Sequence, residues 1–215
     1  MGAARRCNHP GREPAPAGSA AHVLADTARA REQEELVFGM WYVIQVVGGR
    51  EAAAMRKIER VCAADSFASV FAPRVALRRR RGGQWRDEEG LLFPGYVFVD
   101  TAEPERFAAE LGRVSGLTRL LASGGEGSRR FVPISDDERA LICAFTGEDS
   151  GGGRVMGVSE GVVEGGRVVV TRGPLVGREA MVAKIDRHKR LAWLEAEMFG
   201  RRLRLKVGLE IVRKS

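Results

Sequence analysis

The stretch Gly166-Arg167-Val168-Val169-Val170-Thr171-Arg172-Gly173-Pro174-Leu175-Val176-Gly177 decides how the second half of the chain is read. Three valines and a threonine between a glycine and a Gly-Pro pair predict a strand that ends in a tight turn. Further short pieces follow at Glu179–Ile185, Leu191–Met198, Arg201–Val207 and Leu209–Val212, with turns at Asp186–Arg190 and Phe199-Gly200. So many short strands in one small stretch predict a closed β-barrel over 159–215, because closure removes the edges that so small a sheet cannot otherwise protect.

Upstream, Gly147–Gly157 contains Gly151-Gly152-Gly153 and predicts a flexible linker over 147–158. Before it, 39–146 alternates strands and helices. Trp41-Tyr42-Val43-Ile44-Gln45-Val46-Val47 is a strand of aromatic and β-branched residues. Arg50–Ala64 places Ala53, Ile58, Val61 and Cys62 near helical spacing, and the strand Ser69–Leu77 follows. A basic hairpin, Arg78–Trp85, leads to the strand Leu91–Val99. Pro104–Gly112 reads as a helix with proline in its first turn, Gly116–Leu121 as a short strand, and Ser135–Phe145 as a helix capped by Ser135 with Glu138 completing a capping box. The β-α-β-β-β-α-β order predicts an α+β fold, with helices packed on an antiparallel sheet. Residues 1–38, interrupted by Pro10, Gly11, Pro14, Pro16 and Gly18, are expected to be disordered, and Met40 is a candidate for the true start.

The chain of 215 residues carries a formal net charge of +7. Residues 171–215 hold twelve Lys and Arg against five acids, an excess equal to that of the whole chain, so the remainder is formally neutral. Charge concentrated in one small domain is the footprint of a nucleic-acid partner, since neutralising phosphates releases counterions; a solvated basic face is the alternative. Only five of the 35 basic residues are Lys, a bias expected from G+C-rich coding, with selection for bidentate phosphate recognition as the alternative. Cys7, Cys62 and Cys143 have neither zinc spacing nor a disulfide framework, which predicts a reducing, cytoplasmic setting. No apolar run reaches membrane-spanning length, so the chain is expected to be soluble, monomeric and without a membrane partner. Without a phosphate-binding Gly-Lys-Ser/Thr loop, metal spacing or a nucleophile constellation, no enzyme, metal site or cofactor is predicted. Asp136-Asp137 complements a helix dipole.

Three patches remain as candidate sites. In Phe93-Pro94-Gly95-Tyr96-Val97-Phe98-Val99, Tyr96 and Phe98 share one face and Val97 and Val99 the other, so both faces are apolar, for core packing or for docking. Arg78, Arg79, Arg80 and Arg81 are either a solvated hairpin tip or a contact to DNA or protein. Arg187, His188, Lys189 and Arg190 crowd one turn, Arg201 follows the next, and Arg202, Arg204 and Lys206 recur at period two on one strand face. Guanidinium groups there can bridge phosphates or stack on splayed bases.

The Gly166–Gly177 stretch resembles a KOW motif. Together with Met198-Phe199-Gly200-Arg201, Trp41-Tyr42-Val43 and Leu92–Val99, it gives residues 40–215 the pattern of the NusG family of transcription factors. The resemblance implies an N-terminal NGN α/β sandwich and a C-terminal KOW domain, an SH3-like small β-barrel. It also implies an apolar pocket for a coiled-coil of the largest RNA polymerase subunit's clamp, formed by Trp41, Tyr42, Phe93, Pro94, Tyr96 and Phe98. In the family the loop corresponding to Arg78–Arg81 approaches the far side of the main channel, near DNA of the transcription bubble. Asp186–Ala192, Phe199-Gly200-Arg201 and Val207–Val212 are most similar to the LoaP-type antiterminators, which implies a nascent RNA hairpin as the barrel's partner. A general NusG-type factor, whose barrel binds Rho or a ribosomal protein, is the alternative.

Overall fold

The computed structural model describes residues 40–114, 119–123, 130–147 and 154–212, all within one compact unit, Phe38–Ser215. The readings of residues 1–38 and of the central glycines of the linker fall outside the described residues.

The strand β1 (Trp41–Gln45) lies between β5 (Tyr96–Asp100) and β6 (Arg119–Leu120), and β2 (Ser69–Phe71) pairs with β5 on its other edge, giving the order β2-β5-β1-β6. Strand alternation gives this sheet two apolar faces. Tyr42, Ile44, Val97 and Val99 meet Ala54 and Ile58 of α1 (Glu51–Val61) and Phe107 and Leu111 of α2 (Pro104–Leu111). Fully burying one such side chain stabilises by about 1.5–3 kcal/mol. The helix face in α1 is Ala54, Ile58 and the following Cys62, at intervals of four; Ala53 and Val61, expected on it, are exposed. Burial pushes the Cys62 thiol pKa up.

Two expected strands are each split in two. Ser69–Leu77 breaks at Pro73, which has no N–H for a ladder, and resumes as β3 (Arg74–Arg81). Leu91–Val99 breaks at Pro94-Gly95, where Gly95 takes a φ of +86° that favours glycine. Its N–H donates to the buried Glu51 carboxylate at 2.7 Å. The break lets the chain change sheets: β4 (Gln84–Leu91) pairs with β3 as the arginine-rich hairpin, whereas β5 returns to β1. Two short strands, β7 (Ala122–Ser123) and β8 (Arg130–Phe131), pair with each other. Helix α3 (Asp136–Thr146) has the expected Ser135–Glu138 capping box.

The end of the expected linker is ordered. Strand β9 (Val155–Met156) runs parallel to β3, and Met156 is fully buried. The C-terminal sheet has the order β11-β10-β14-β13-β12, from β10 (Ser159–Glu164), β11 (Arg167–Arg172), β12 (Val182–Asp186), β13 (Leu191–Met198) and β14 (Arg201–Ile211). It differs from the sequence reading in three places: β10 is an added strand, Glu179–Met181 is a 3-10 turn, and Arg201–Val207 and Leu209–Val212 are one strand. Gly173 lets the Gly-Pro turn press on β10, since a Cβ there would stand 2.8 Å from the Ser159 Cα. The buried Ser159 hydroxyl accepts the Leu175 N–H at 3.2 Å.

The other face of the first sheet, with Trp41, Val43 and Phe98, merges with Leu191, Leu194, Leu205, Val207 and Leu209 into one hydrophobic cluster. Strand β14 passes so close to β3 that a Cβ on Gly208 would come within 2.8 Å of the Ala76 carbonyl oxygen. The two halves of the chain share a core in this conformation.

Candidate functional site

The aromatic face is built on β1, β2 and β5. Trp41 stands edge-on to Phe71 at 5.0 Å, Phe71 stacks on Phe98 at 5.5 Å, and Phe98 meets Phe93 at 5.6 Å. Of the six residues expected to form a docking pocket, Trp41, Phe93, Tyr96 and Phe98 come together. Pro94 is exposed in the adjoining turn. Tyr42 lies on the opposite face of the sheet, among the helices, where burial and the Glu105 charge raise its pKa. Strand alternation separates it from its neighbour Trp41.

The face is not open to solvent. Phe199, at the turn between β13 and β14, packs against Phe93, Tyr96 and Phe98 with ring centroids 5.6–5.8 Å apart. Its backbone is left-handed, φ 54°, uncommon for a non-glycine residue. Its N–H donates to Glu138 Oε1 at 2.5 Å, while Oε2 of the same carboxylate accepts the Ser135 N–H at 2.8 Å. One side chain thus caps α3 and holds the turn. Arg154 lies over the rings of Trp41 (4.2 Å) and Phe71 (3.6 Å). Beside Phe199 an open groove of about 800 Å3 continues along Met40, Val43, Val132 and Ile134.

The basic residues divide by their partners. On β14, Arg202, Arg204 and Lys206 do project outward together. Pairing with β13 sets Arg202 opposite Glu197 and Arg204 opposite Glu195, both at 4.0 Å, so two of the three cations of that stripe are balanced. Lys206 instead stands opposite Trp193, and Lys184 of β12 flanks the same indole at 5.5 Å. Of this Lys184–Trp193–Lys206 row the sequence reading names only Lys206, because charge counting passes over a tryptophan between lysines; the alternation of Trp193 with Glu195 and Glu197 in β13 is the available signal.

In the β12–β13 turn, the Asp186 carboxylate accepts the Lys189 N–H at 3.0 Å, and that bond, with the Lys189 charge, holds its pKa below the usual range. The turn leaves Arg187 and His188 exposed. Arg190, left-handed at φ 53°, turns back instead: it pairs with Glu210 at 2.7 Å and lies 4.1 Å over the Trp85 ring of the β3–β4 hairpin. Glu210 also pairs with Arg78, which bonds Asp87 too. Arg79 and Arg81 share Glu88. Arg201 is exposed at the rim of the apolar groove.

Among the described residues, no group of three or more His, Cys, Asp or Glu side chains is placed to hold a metal ion, and no helix is long and apolar enough to cross a membrane.

Comparison with known proteins shows what the chain is similar to. Residues 39–143 match the family described as transcription termination factor nusG, and residues 164–195 match the KOW motif. The transcription termination/antitermination protein NusG of Borreliella burgdorferi is 25% identical over 182 residues, covering 81% of this chain and 97% of that protein. The protein of the same name in Escherichia coli is 29% identical over 179 residues, covering 81% and 96%. A solved structure titled "Domain interaction in Thermotoga maritima NusG" has a TM-score of 0.49 and 21% identity, and covers 80% of this chain and 93% of that one. Residues 39–143 thus resemble the NusG family, and residues 164–195 resemble the KOW motif.

Proposed function

We propose that this chain is a transcription termination/antitermination factor of the NusG type, which it resembles, and a specialised antiterminator in the manner of the LoaP subfamily. Its N-terminal domain grips the clamp coiled-coil of RNA polymerase through Trp41, Phe93, Tyr96 and Phe98, and its barrel holds a hairpin of the nascent leader RNA. An amphipathic helix is retained in such a groove by apolar burial with aromatic anchors. Because Phe199 covers the rings of Phe93, Tyr96 and Phe98, the turn must leave before a helix can take its place. Holding polymerase and RNA on one chain raises the local concentration of the second contact once the first has formed, and confines the effect to operons whose leader carries the hairpin.

The observation that carries the RNA reading is the Lys184–Trp193–Lys206 row beside the exposed Arg187–His188–Lys189 turn. Cations flanking a partly exposed aromatic ring suit an unstacked base with its phosphates. One observation favours the alternative of a general factor with a protein partner on the barrel: Glu195 and Glu197 offset two of the arginines that would face RNA.

The test is transcription in vitro with the host polymerase across a terminator placed behind the leader of a neighbouring operon. Read-through that needs both the leader hairpin and Trp193 supports the specialised role. Read-through or pausing that responds to the protein equally on every template, with Trp193→Ala unchanged, sinks it in favour of a general factor.

A further inference from the structure

The arginine hairpin and the barrel turn, separate in sequence, face each other across one cleft of about 310 Å3. Its walls include Arg79, Arg80 and Trp85 from the N-terminal side and His188, Lys189 and Lys206 from the barrel. No carboxylate lines it. The surrounding ion pairs are already formed: Glu210 serves Arg78 and Arg190, Glu88 serves Arg79 and Arg81, and Asp186 serves Lys189. Arg80 and Lys206 form no ion pair with a described residue; Arg80 donates only to the Gly83 carbonyl at 3.2 Å. Like charges held together in a cleft focus a positive potential that an anion relieves.

We propose that this cleft is a binding site for the phosphate backbone of single-stranded RNA, assembled from both halves of the chain and complete only while the barrel is docked. This rests on the reading of the barrel as an RNA binder and adds the N-terminal hairpin to its site. The ligand is single-stranded because an unstacked base can lie against Trp85 beside the cations that take its phosphate, which a base paired within a duplex cannot do. Trp85 supplies an aromatic wall, one face of which Arg190 covers. Arg80 and Lys206 take the phosphate, and the turn that carries Lys189 is fixed by Asp186. Docking depends on the close passage of β14 by β3 at Gly208, so a side chain there weakens the site without touching its cations.

The experiment is fluorescence anisotropy of the full chain with a labelled oligouridylate across a salt series, with an oligodeoxythymidylate of equal length as the second probe. Each phosphate contact to a single strand adds about 0.7 to the magnitude of the log–log salt slope. Arg80→Ala is expected to lower affinity and reduce that slope by about 0.7, Arg80→Lys to restore the slope, Lys206→Ala to match the loss, and Gly208→Ala to lose both contributions. Arg80 is exposed on a hairpin, so its replacement leaves the fold intact. If Arg80→Ala binds RNA like the parent chain while Arg187→Ala weakens binding, the composite site is wrong and the barrel reading stands. If the parent chain binds no oligouridylate, the composite single-strand site is wrong, and binding of the leader hairpin alone then decides whether the barrel reading stands; tighter binding of the DNA probe overturns the assignment to RNA.

Discussion

Replacing Phe199 by Ala removes the ring that covers the aromatic face. A fully buried Phe→Ala change costs about 3–5 kcal/mol. Phe199 is half-buried, with three ring neighbours at 5.6–5.8 Å, so docking of the barrel is expected to weaken by about 2 kcal/mol. That is a factor of about 30 in the ratio of docked to undocked molecules. A ligand that needs the undocked form binds with an apparent Kd divided by that form's population. Phe199→Ala should therefore tighten binding of a helical hairpin carrying the polymerase clamp coiled-coil by up to about 30-fold. The assay is isothermal titration calorimetry on the full chain, with far-UV circular dichroism confirming the fold. Unchanged or weaker binding by a natively folded variant would refute the covering role of Phe199.

Glu138→Ala should destabilise the chain by about 1 kcal/mol more than Ser135→Ala in thermal unfolding, because Ser135 only caps α3 whereas Glu138 also accepts the Phe199 N–H. Glu110 accepts hydrogen bonds from the Ala63 N–H and the Ser66 hydroxyl, which, with Arg106 and Arg113 nearby, lower its pKa. A depressed folded-state pKa gives stability that is present above the unfolded value and lost as pH falls through the folded one. Glu110→Gln should thus be less stable than the parent at pH 7, with the two denaturation curves converging in acid. Trp193→Ala should weaken RNA binding about ten-fold, by loss of a stacking surface worth about 1–3 kcal/mol, with little change in the salt slope; a steep slope change instead would mean that the ring positions a cation.

The parts of the fold legible in the sequence were those set by local chemistry. The Ser135 cap, the proline at the start of α2 and the Gly-Pro turn after β11 each act within one helical turn or one hairpin. Pro73 and Gly95 are visible in the sequence too, but the hydrophobic pattern runs on through them, although a missing N–H and a positive φ are what send β3 and β5 to different sheets. The offset of the arginine stripe was also readable: a two-residue turn at Phe199-Gly200 pairs Glu197 with Arg202 and Glu195 with Arg204. The seam between the halves was not. Phe199 meets Phe98, and Arg190 meets Trp85, across about a hundred residues, and no periodicity carries such a pairing.

That seam sets the two proposed uses of the chain against each other. Docking completes the cleft at Arg80 and Lys206 and at the same time covers the rings of Phe93 and Phe98. RNA in the cleft favours the docked form and a polymerase helix the undocked one, so each lowers the other's affinity by the same factor. The antagonism cannot be total if one chain is to hold both. The contacts that survive undocking are those on the barrel's own outer surface, the Lys184–Trp193–Lys206 row and Arg187. A tether requires these to hold the RNA when the hairpin arginines are withdrawn. Titrating the clamp hairpin into the chain with and without saturating oligouridylate measures the factor. Weakening that vanishes in Arg80→Ala places the coupling in the cleft. Weakening that persists in Arg80→Ala places it on the barrel surface, and RNA would then oppose polymerase binding instead of accompanying it.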